Sequence, residues 1–180
     1  MSSSRTYSLE EINSLSTEEF TSLFSNIIEN CLEVSYQVSL KRPFIKINEV
    51  ENVFNDYLNQ LDNNGKENIL NKHPQLKGKI NKEELTTESR KEQELVEINS
   101  IAESQKLELM KLNELYLKKF SFPFIICVRD NNVLSILSAI KTRLENSKDV
   151  ELNNGIEEVK KISKFRITDL LTKDNSIEDK

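Results

Sequence analysis

The sequence predicts an all-α fold, a single-domain helical bundle of about 7–9 helices with one short extended apolar segment. The chain has only three Gly and three Pro in 180 residues, too few for the many tight turns of a sheet-rich fold. Apolar residues recur at spacings of three and four through most of its long segments. The length fits one domain with a substantial core, which we place at residues 8–172, with frayed ends at 1–7 and 173–180.

Composition limits the classes of function. The net charge of -5 and the isoelectric point of about 5.2 give no general attraction for nucleic-acid phosphates or anionic lipid, so we expect neither nucleic-acid nor membrane binding. No run approaches the ~18 apolar residues of a membrane span. The start does not resemble a signal peptide, and the end is not a peroxisomal Ser-Lys-Leu type signal. We therefore expect a cytoplasmic location, with the peroxisome as the alternative, and Cys31 and Cys127 as buried thiols.

Two helices are predicted in the first forty residues. Ser16 and Glu19 have the spacing of a capping box, in which a hydroxyl and a carboxylate satisfy the free amides of the first turn. Apolar residues continue at helical spacing over 20–31, which predicts one amphipathic helix there. A shorter helix is predicted over 34–40. It ends before Pro43, because proline disfavours helix at the residue that precedes it.

The next two predicted helices lead to the only histidine of the chain. Apolar residues over 47–61 form a third helical stripe, which Asn63-Asn64-Gly65 ends. A short helix over 66–72 follows. His73-Pro74 then interrupts the pattern, so the histidine lies at a helix end or in a turn, where catalytic groups are often found.

Four more helices and one extended segment are predicted in the second half. Thr86 or Thr87 can cap the first helix. In the second, we expect the core-facing residues to be Leu107, Met110, Leu112, Leu115 and Tyr116. Residues 120–129 are apolar and aromatic without helical spacing, which predicts a buried extended segment or a short strand whose amides need partners, one of which could be a ligand. Helices over 133–144 and 154–171 complete the chain.

One predicted helix carries a set of polar residues at a regular spacing. Ser89, Glu92 and Gln93 lie at i, i+3 and i+4, so a helix presents all three on one face. Ser and Gln can donate and accept hydrogen bonds, and Glu can orient or charge an imidazole. Such a triplet is more often a solvated face, and the spacing alone leaves both interpretations open.

Arg166 lies on an otherwise apolar stripe, four residues after Ile162 and four before Leu170. Burial of a guanidinium is costly unless an anion pairs with it. Three interpretations stay open: a structural pair with Glu92 or another acid, a bidentate contact with a substrate carboxylate, or a side chain that reaches solvent from the edge of the stripe.

His73 is the one side chain whose ordinary pKa lies near physiological pH. A lone histidine is more often structural than catalytic. With one histidine and two distant cysteines, the sequence has no metal-ligand spacing, so we predict no metal site. It also lacks a nucleophile elbow and a Gly-rich phosphate loop.

Several blocks resemble one enzyme family. In order they are Arg42-Pro43-Phe44, His73-Pro74-x-Leu76-x-Gly78, Ser89-x-x-Glu92-Gln93, Leu112-Asn113-x-x-Tyr116-x-x-Lys119-Phe120-x-Phe122-Pro123-Phe124-Ile125-Ile126-Cys127-Val128-Arg129, and Ile162-Ser163-Lys164-Phe165-Arg166-Ile167-x-Asp169-Leu170-Leu171. Over about residues 17–172 the chain resembles the 2-oxo-4-hydroxy-4-carboxy-5-ureidoimidazoline (OHCU) decarboxylase family. It departs from that family at Cys31-Leu32-Glu33, where a Ser-Pro-Trp-like stretch is usual, and at Lys77, where a small residue is common.

The resemblance implies a homodimeric lyase without metal or organic cofactor that converts OHCU to (S)-allantoin in urate degradation. It implies that His73 is the proton donor and that Glu92 orients it. The residues that the resemblance assigns to substrate binding are Pro74, Ser89, Arg90, Lys91, Gln93, Phe124, Ile125, Ile126, Cys127, Val128 and Arg166. The alternatives are a lyase acting on a related ureido acid and a helical binding or structural protein that retained only the scaffold.

Overall fold

The computed structural model describes residues 5–76, 85–95 and 102–172. Within these ranges the backbone forms nine α-helices, one 3₁₀ turn and no strand beyond an isolated bridge, which confirms the predicted all-α class. The helices are α1 (Leu9–Ser14), α2 (Thr17–Leu23), α3 (Leu32–Ser39), α4 (Ile47–Asn59), α5 (Asn63–Asn71), α6 (Thr87–Leu95), α7 (Glu103–Phe120), α8 (Val133–Arg143) and α9 (Lys148–Leu170), and the 3₁₀ turn is Val128–Asp130. None of the helices described is long and apolar enough to cross a membrane.

The described residues group into two compact units. The first contains the described residues up to Gln60 and from Lys160 onward, and the second runs from Leu61 to Val159. Helix α9 contributes to both units. The single-domain boundaries at 8 and 172 stay a prediction.

Aromatic side chains form the centre of the first unit. The rings of Phe20 and Phe24 stack with centroids 4.1 Å apart, and Phe44 and Phe54 each lie 6.3 Å from one of them. All four side chains are buried. Burial of such large apolar side chains stabilises a fold by roughly 1.5–3 kcal/mol each.

Helix α2 is shorter than predicted. Ser16 and Glu19 form the expected capping box, but the helix ends at Leu23, and Phe24 is its C-cap. The chain then continues in turns, with Ser25 N bonded to Ser22 O and Ile27 N bonded to Phe24 O. The prediction of one helix over 20–31 is therefore wrong after residue 23. The turn residues Phe24, Ile27, Ile28 and Cys31 are nevertheless buried, which explains why the apolar pattern continued.

Helix α1 precedes the first helix that the sequence analysis predicts. Ser8 and Glu11 form a capping box at its start, and Leu9 and Ile12 are its buried residues. Just before it, Tyr7 forms an isolated parallel bridge with Leu171. Tyr7 N donates to Leu170 O at 2.9 Å, so Tyr7 is tied to the end of α9 although the sequence places it in a frayed terminus.

Helices α3 and α4 confirm the predicted elements, but the start of α5 differs. Helix α5 begins at Asn63 because Asp62 is its N-cap and accepts a hydrogen bond from Gly65 N at 2.7 Å. The Asn63-Asn64-Gly65 stretch is thus the first turn of α5. Further along, a Cβ atom on Gly155 of α9 would lie 2.8 Å from Leu70 of α5, so these two helices pack closely. This packing fixes the end of α5, directly before His73.

Helix α7 was predicted with the wrong inward face. Leu107, Met110 and Leu115 are exposed, and of the five predicted core residues only Tyr116 is buried. The residues that α7 buries are Leu109, Asn113, Tyr116 and Phe120. Apolar residues occupy both faces of this helix, so its sequence pattern did not define one side.

The chain leaves α7 through Ser121, whose positive φ of 68° places it in the left-handed region. Residues 123–127, which form neither helix nor strand, follow and lead into the 3₁₀ turn, and Cys127 has extended backbone angles, in agreement with the predicted aperiodic segment. Helix α8 agrees with its prediction, and α9 begins at Lys148, earlier than the predicted start at 154. Both cysteines are buried thiols, as predicted.

Candidate active site

His73 lies in a turn directly after α5. Its backbone N–H donates to Leu70 O at 3.1 Å, and its side chain is buried, with 7% of the residue exposed. Pro74 follows and is half-buried. The turn is also held from α7, because Asn113 Nδ2 donates to Leu76 O at 2.8 Å. The predicted position of the histidine at a helix end is confirmed.

Helix α6 buries the polar face that the sequence indicates. Ser89, Glu92 and Gln93 are only 4%, 6% and 6% exposed, so the solvated-face interpretation is wrong for these three. Arg90 is half-buried and Lys91 is exposed. Thr86 begins the helix, because its Oγ1 atom accepts a hydrogen bond from Ser89 N at 3.2 Å.

Helix α6 packs against the 3₁₀ turn Val128–Asp130. This contact places α6 beside the end of the extended segment. Within that segment, Phe124, Ile125, Ile126, Cys127 and Val128 are all buried. The second unit thus joins an apolar wall to a helix that buries three polar side chains, and the buried turn of His73 belongs to the same unit.

Side chains form the hydrogen bonds along one edge of the extended segment. The described residues include no neighbouring strand at this edge. Arg143 Nη1 donates to Ile125 O at 2.8 Å, and Cys127 N donates to Glu158 Oε2 at 2.7 Å. Asn131 Nδ2 donates to Cys127 O at 2.9 Å. In an extended chain the backbone groups of alternate residues point to the same side, so we expect the N–H and C=O of Ile126 to face the opposite edge.

Cys127 is a neutral part of this wall. Burial, together with the nearby charge of Asp130, raises the pKa of the Cys127 thiol to about 11. A thiol with this pKa is protonated near neutral pH and is a weak nucleophile. Cys127 therefore provides packing and backbone groups, whereas a thiolate mechanism does not fit this position.

Arg143 belongs to a buried polar cluster that the sequence analysis missed. Its Nε atom lies 2.8 Å from Glu151 Oε2, and its guanidinium lies 4.7 Å from the centre of the Phe124 ring. Glu151 also accepts hydrogen bonds from Tyr116, Asn146 and Asn154. No local spacing reveals the cluster, because its members come from α7, α8, α9 and the turn before α9.

The cluster keeps Glu151 ionised. Burial alone would raise the pKa of the Glu151 carboxyl, but hydrogen bonds from Tyr116, Asn146 and Asn154 and the charge of Arg143 hold it below its ordinary value. Burial raises the pKa of the Tyr116 phenol, so Tyr116 stays a hydrogen-bond donor.

Arg166 lies in the first unit, where it forms a buried ion pair. Its Nη1 atom lies 2.8 Å from Glu29 Oε2, and the same atom donates to Asn26 O at 2.6 Å. The two side chains are 3% and 1% exposed. Of the interpretations that the sequence left open, a structural pair is present, and its acid is Glu29.

Comparisons with known proteins agree on one family. The OHCU decarboxylase family model matches residues 13–168 of this chain. The chain is also 40% identical over 163 residues to the 2-oxo-4-hydroxy-4-carboxy-5-ureidoimidazoline decarboxylase of Xenopus laevis, with 90% of this chain and 93% of the relative covered.

The chain belongs to the OHCU decarboxylase family. Its fold is similar to the crystal structure of an OHCU decarboxylase in the presence of (S)-allantoin, with a TM-score of 0.67 and 27% identity, over 87% of this chain and 98% of the other. It is also similar to a crystal structure of (S)-allantoin synthase, with a TM-score of 0.74 and 19% identity, over 92% of this chain and 54% of the other. The second likeness concerns the fold alone.

The described residues of the second unit contain the parts that a proton-transfer site needs. His73 is a buried imidazole, Glu92 is a buried carboxylate, and Ser89 and Gln93 are buried groups that can donate and accept hydrogen bonds. The described residues contain no cluster of three or more His, Cys, Asp or Glu side chains that could hold a metal ion.

Proposed function

We propose that this protein decarboxylates OHCU to (S)-allantoin in urate degradation, with His73 as the proton donor and Glu92 as the residue that orients it. Membership of the OHCU decarboxylase family supports the reaction. The observation that carries the site is the buried polar face of α6, formed by Ser89, Glu92 and Gln93. All three side chains can donate or accept hydrogen bonds, so this face has the groups needed to recognise a polar substrate.

In the proposed mechanism, the bond between the ring carbon and the carboxylate breaks and carbon dioxide leaves. The electron pair stays on the ring carbon, where adjacent electron-withdrawing groups stabilise it as an enolate. His73 then delivers a proton to one face of that carbon, which sets the S configuration. The apolar wall from Phe124 to Val128 surrounds the departing carboxylate.

Hydrogen-bond donors stabilise the developing negative charge. The Cys127 amide donates to Glu158, and because backbone groups alternate in direction along an extended chain, we expect the Ile126 amide to face the other edge of the segment. We therefore propose Ile126 N–H as the backbone donor to the substrate, a kind of contact commonly worth about 3–4 kcal/mol in the transition state. The remaining proposed substrate contacts are Pro74, Ser89, Arg90, Lys91, Gln93, Phe124, Ile125, Cys127, Val128 and Arg166. Arg166 is included on the family pattern alone.

The test uses OHCU made in situ from urate with urate oxidase and hydroxyisourate hydrolase, and circular dichroism follows the chiral allantoin. The wild type should form (S)-allantoin faster than spontaneous decay does. His73→Asn should remove this excess and keep the far-ultraviolet spectrum of the folded protein. Lys72→Ala, at the exposed neighbouring position, is the matched control and should retain the wild-type rate. Turnover by His73→Asn would refute the histidine assignment. A wild type that only matches spontaneous decay would favour a binding protein, or a lyase acting on a related ureido acid.

We also propose that the protein is a homodimer that associates through α3. Leu32, Tyr36 and Leu40 are 58%, 46% and 55% exposed, and their spacing of four places them on one face of α3 and its C-cap, Leu40. In an antiparallel pair of α3 helices related by a two-fold axis near Tyr36, Leu32 faces Leu40 of the second copy. The same axis brings Glu33 near Lys41 of the second copy, so the face is self-complementary in charge.

Sedimentation of charge variants tests this interface. Glu33→Lys places like charges together and should shift the protein towards monomer. The double variant Glu33→Lys with Lys41→Glu should restore the dimer. Leu134→Glu, at an exposed apolar position of α8, is the control and should leave the mass unchanged. A dimer that is insensitive to Glu33→Lys, or a wild-type monomer, contradicts the proposal.

A cytoplasmic location is part of the same proposal. Cys31 and Cys127 are buried thiols, which suits a reducing compartment. Imaging of a fluorescent fusion in cells tests the location, and a signal confined to peroxisomes would contradict it.

A further inference from the structure

We infer that Arg143, held by Glu151, is a positioning residue for the proposed reaction. Arg143 fixes the carbonyl of Ile125, and through it the direction in which the neighbouring Ile126 backbone faces. The inference rests on the proposed function, because the segment from Phe124 to Val128 is there the wall that contacts the substrate.

Each of the three guanidinium nitrogens of Arg143 makes a polar contact. Nη1 donates to Ile125 O at 2.8 Å, Nε donates to Glu151 Oε2 at 2.8 Å, and Nη2 lies 3.3 Å from the Tyr116 hydroxyl. Its guanidinium also lies over the Phe124 ring at 4.7 Å. One rigid, planar group thus touches both the backbone and a side chain of the wall, a task that the flexible ammonium of lysine cannot reproduce.

Glu151 holds the other side of the guanidinium. It is fully buried, and both of its oxygens accept hydrogen bonds, Oε1 from Asn146 and Asn154 and Oε2 from Tyr116 and Arg143. A carboxylate with all these partners has one orientation. Glu151 therefore fixes the orientation of Arg143, and Arg143 in turn fixes the position of the Ile125 carbonyl.

Loss of Arg143 should disturb one backbone edge of the wall. The carbonyl of Ile125 loses its donor, while the Cys127 amide keeps its bond to Glu158. The segment can then rotate between these two points, and Ile126 N–H no longer has a fixed direction. A displacement of about 1 Å at a reacting group can cost on the order of 100-fold in rate.

The experiment compares Arg143→Lys, Arg143→Ala and Glu151→Gln with Lys141→Ala. Lys141 lies on the same helix and forms an exposed ion pair with Glu108, so it controls for the loss of a charge on α8. We expect kcat to fall and KM to rise in Arg143→Lys, with kcat/KM lower by about 10- to 100-fold. The kcat/KM of Glu151→Gln should lie between those of Arg143→Lys and the wild type. Lys141→Ala should match the wild type.

Chemical rescue separates positioning from a merely structural role. Added guanidinium ion, at concentrations too low to unfold the protein, should restore part of the kcat of Arg143→Ala and should leave the wild type unchanged. If Arg143→Ala does not fold, Arg143→Lys and Glu151→Gln still decide the question. Wild-type kcat and KM in both of these folded variants would overturn the inference, and so would an inactive, folded Arg143→Ala that guanidinium does not rescue.

Failure of the proposed function gives a different pattern. In that case the wild type itself shows no turnover above spontaneous decay. The variants are then compared by their affinity for (S)-allantoin, measured by calorimetry. Weaker allantoin binding by Arg143→Lys than by Lys141→Ala then supports the positioning role, and equal binding by the two overturns it.

The pH dependence of unfolding checks that Glu151 is ionised in the cluster. Its pKa in the folded protein lies below its ordinary value of 4.5, so the unfolded chain binds the proton more tightly. This carboxylate therefore stabilises the fold above about pH 4.5, and the contribution is lost as the pH falls through the folded pKa. The melting temperature of the wild type should exceed that of Glu151→Gln at neutral pH, and the difference should shrink in acid. A difference independent of pH would contradict the ionised pair.

Discussion

Helices α4 and α6 each bury one face, but the two faces have opposite chemistry. Helix α4 buries Val50, Phe54 and Leu58, whereas the buried residues of α6 include Ser89, Glu92 and Gln93. Burial of the apolar set contributes roughly 1.5–3 kcal/mol per side chain to folding. Burial of the polar set costs free energy unless hydrogen bonds compensate for the water that is lost.

We interpret the apolar face of α4 as retained for stability, and we propose that the polar face of α6 is retained for activity. If α4 serves the fold, its variants should change the free energy of unfolding and leave the rate per folded molecule unchanged. If the polar face of α6 serves the reaction, its variants should lower the rate per folded molecule and leave the free energy of unfolding largely unchanged. Stability and turnover measured on the same variants therefore test the comparison directly.

The largest effect is expected from Glu92→Gln. This change keeps the shape of the side chain and removes the charge that is proposed to orient His73. We expect kcat for OHCU to fall by about 10²- to 10⁴-fold, the usual contribution of a general acid or base. The initial rate of allantoin formation, followed by circular dichroism, measures it.

The thermal midpoint of Glu92→Gln should equal that of the wild type or exceed it, because a neutral amide costs less to bury than a carboxylate. Glu94→Gln, at an exposed position of the same helix, is the control for loss of a carboxylate on α6. A Glu92→Gln variant that melts much earlier and keeps its kcat would show that α6 is an ordinary structural helix.

Phe54→Ala should have the next largest effect, on stability. Phe54 is fully buried and lies 6.3 Å from Phe24, so its truncation leaves a cavity beside the stacked rings. We expect a loss of about 3–5 kcal/mol in the free energy of unfolding, measured by urea titration.

At a temperature where Phe54→Ala is folded, its kcat should stay within a factor of about two of the wild type, since surface and core changes away from a site act mainly through stability. Asn52→Ala, exposed on the same helix, should change neither quantity. A large loss of kcat in folded Phe54→Ala would mean that the two faces cannot be separated.

The smallest effects are expected from substitutions at two helix caps. Thr86 and Ser16 each accept a hydrogen bond from the third residue of their helix, α6 and α2. Thr86→Ala and Ser16→Ala should each lower the free energy of unfolding by about 1 kcal/mol in urea titrations.

Only Thr86→Ala should also lower kcat/KM, because its partner amide belongs to Ser89, the first residue of the buried polar face. Equal kcat/KM in the two cap variants would mean that the start of α6 does not affect the site.

Much of the fold was predictable because its signals are local. One capping box and apolar spacing predicted α2, and apolar spacing predicted α3 and α4. Helix α2 ends before the apolar pattern does, because turn residues can be buried as well. Helix α7 shows the limit of such signals. Leu107 and Leu115 are as apolar as Leu109, and only packing decides that Leu109 is the buried one.

The candidate site was predictable where one helix or one segment carries it. Ser89, Glu92 and Gln93 share a face by spacing alone, and His73 is marked by the proline that follows it. The cluster of Arg143 and Glu151 was not predictable, because a helix end lies between the two residues and Tyr116 joins them from 35 positions away. Sequence patterns report spacing within an element, not contacts between elements.

The bridge between Tyr7 and Leu171 has a consequence for folding kinetics. It joins positions at opposite ends of the described chain, so the two hydrogen bonds at this bridge close a loop that contains most of the polypeptide, which costs loop-closure entropy while the intervening chain is unfolded. Such a contact contributes little to an early nucleus and should form late. A circular permutant that links the two ends and opens the chain elsewhere would make this contact local. It should fold to the same structure by a route in which the end of α9 is ordered first.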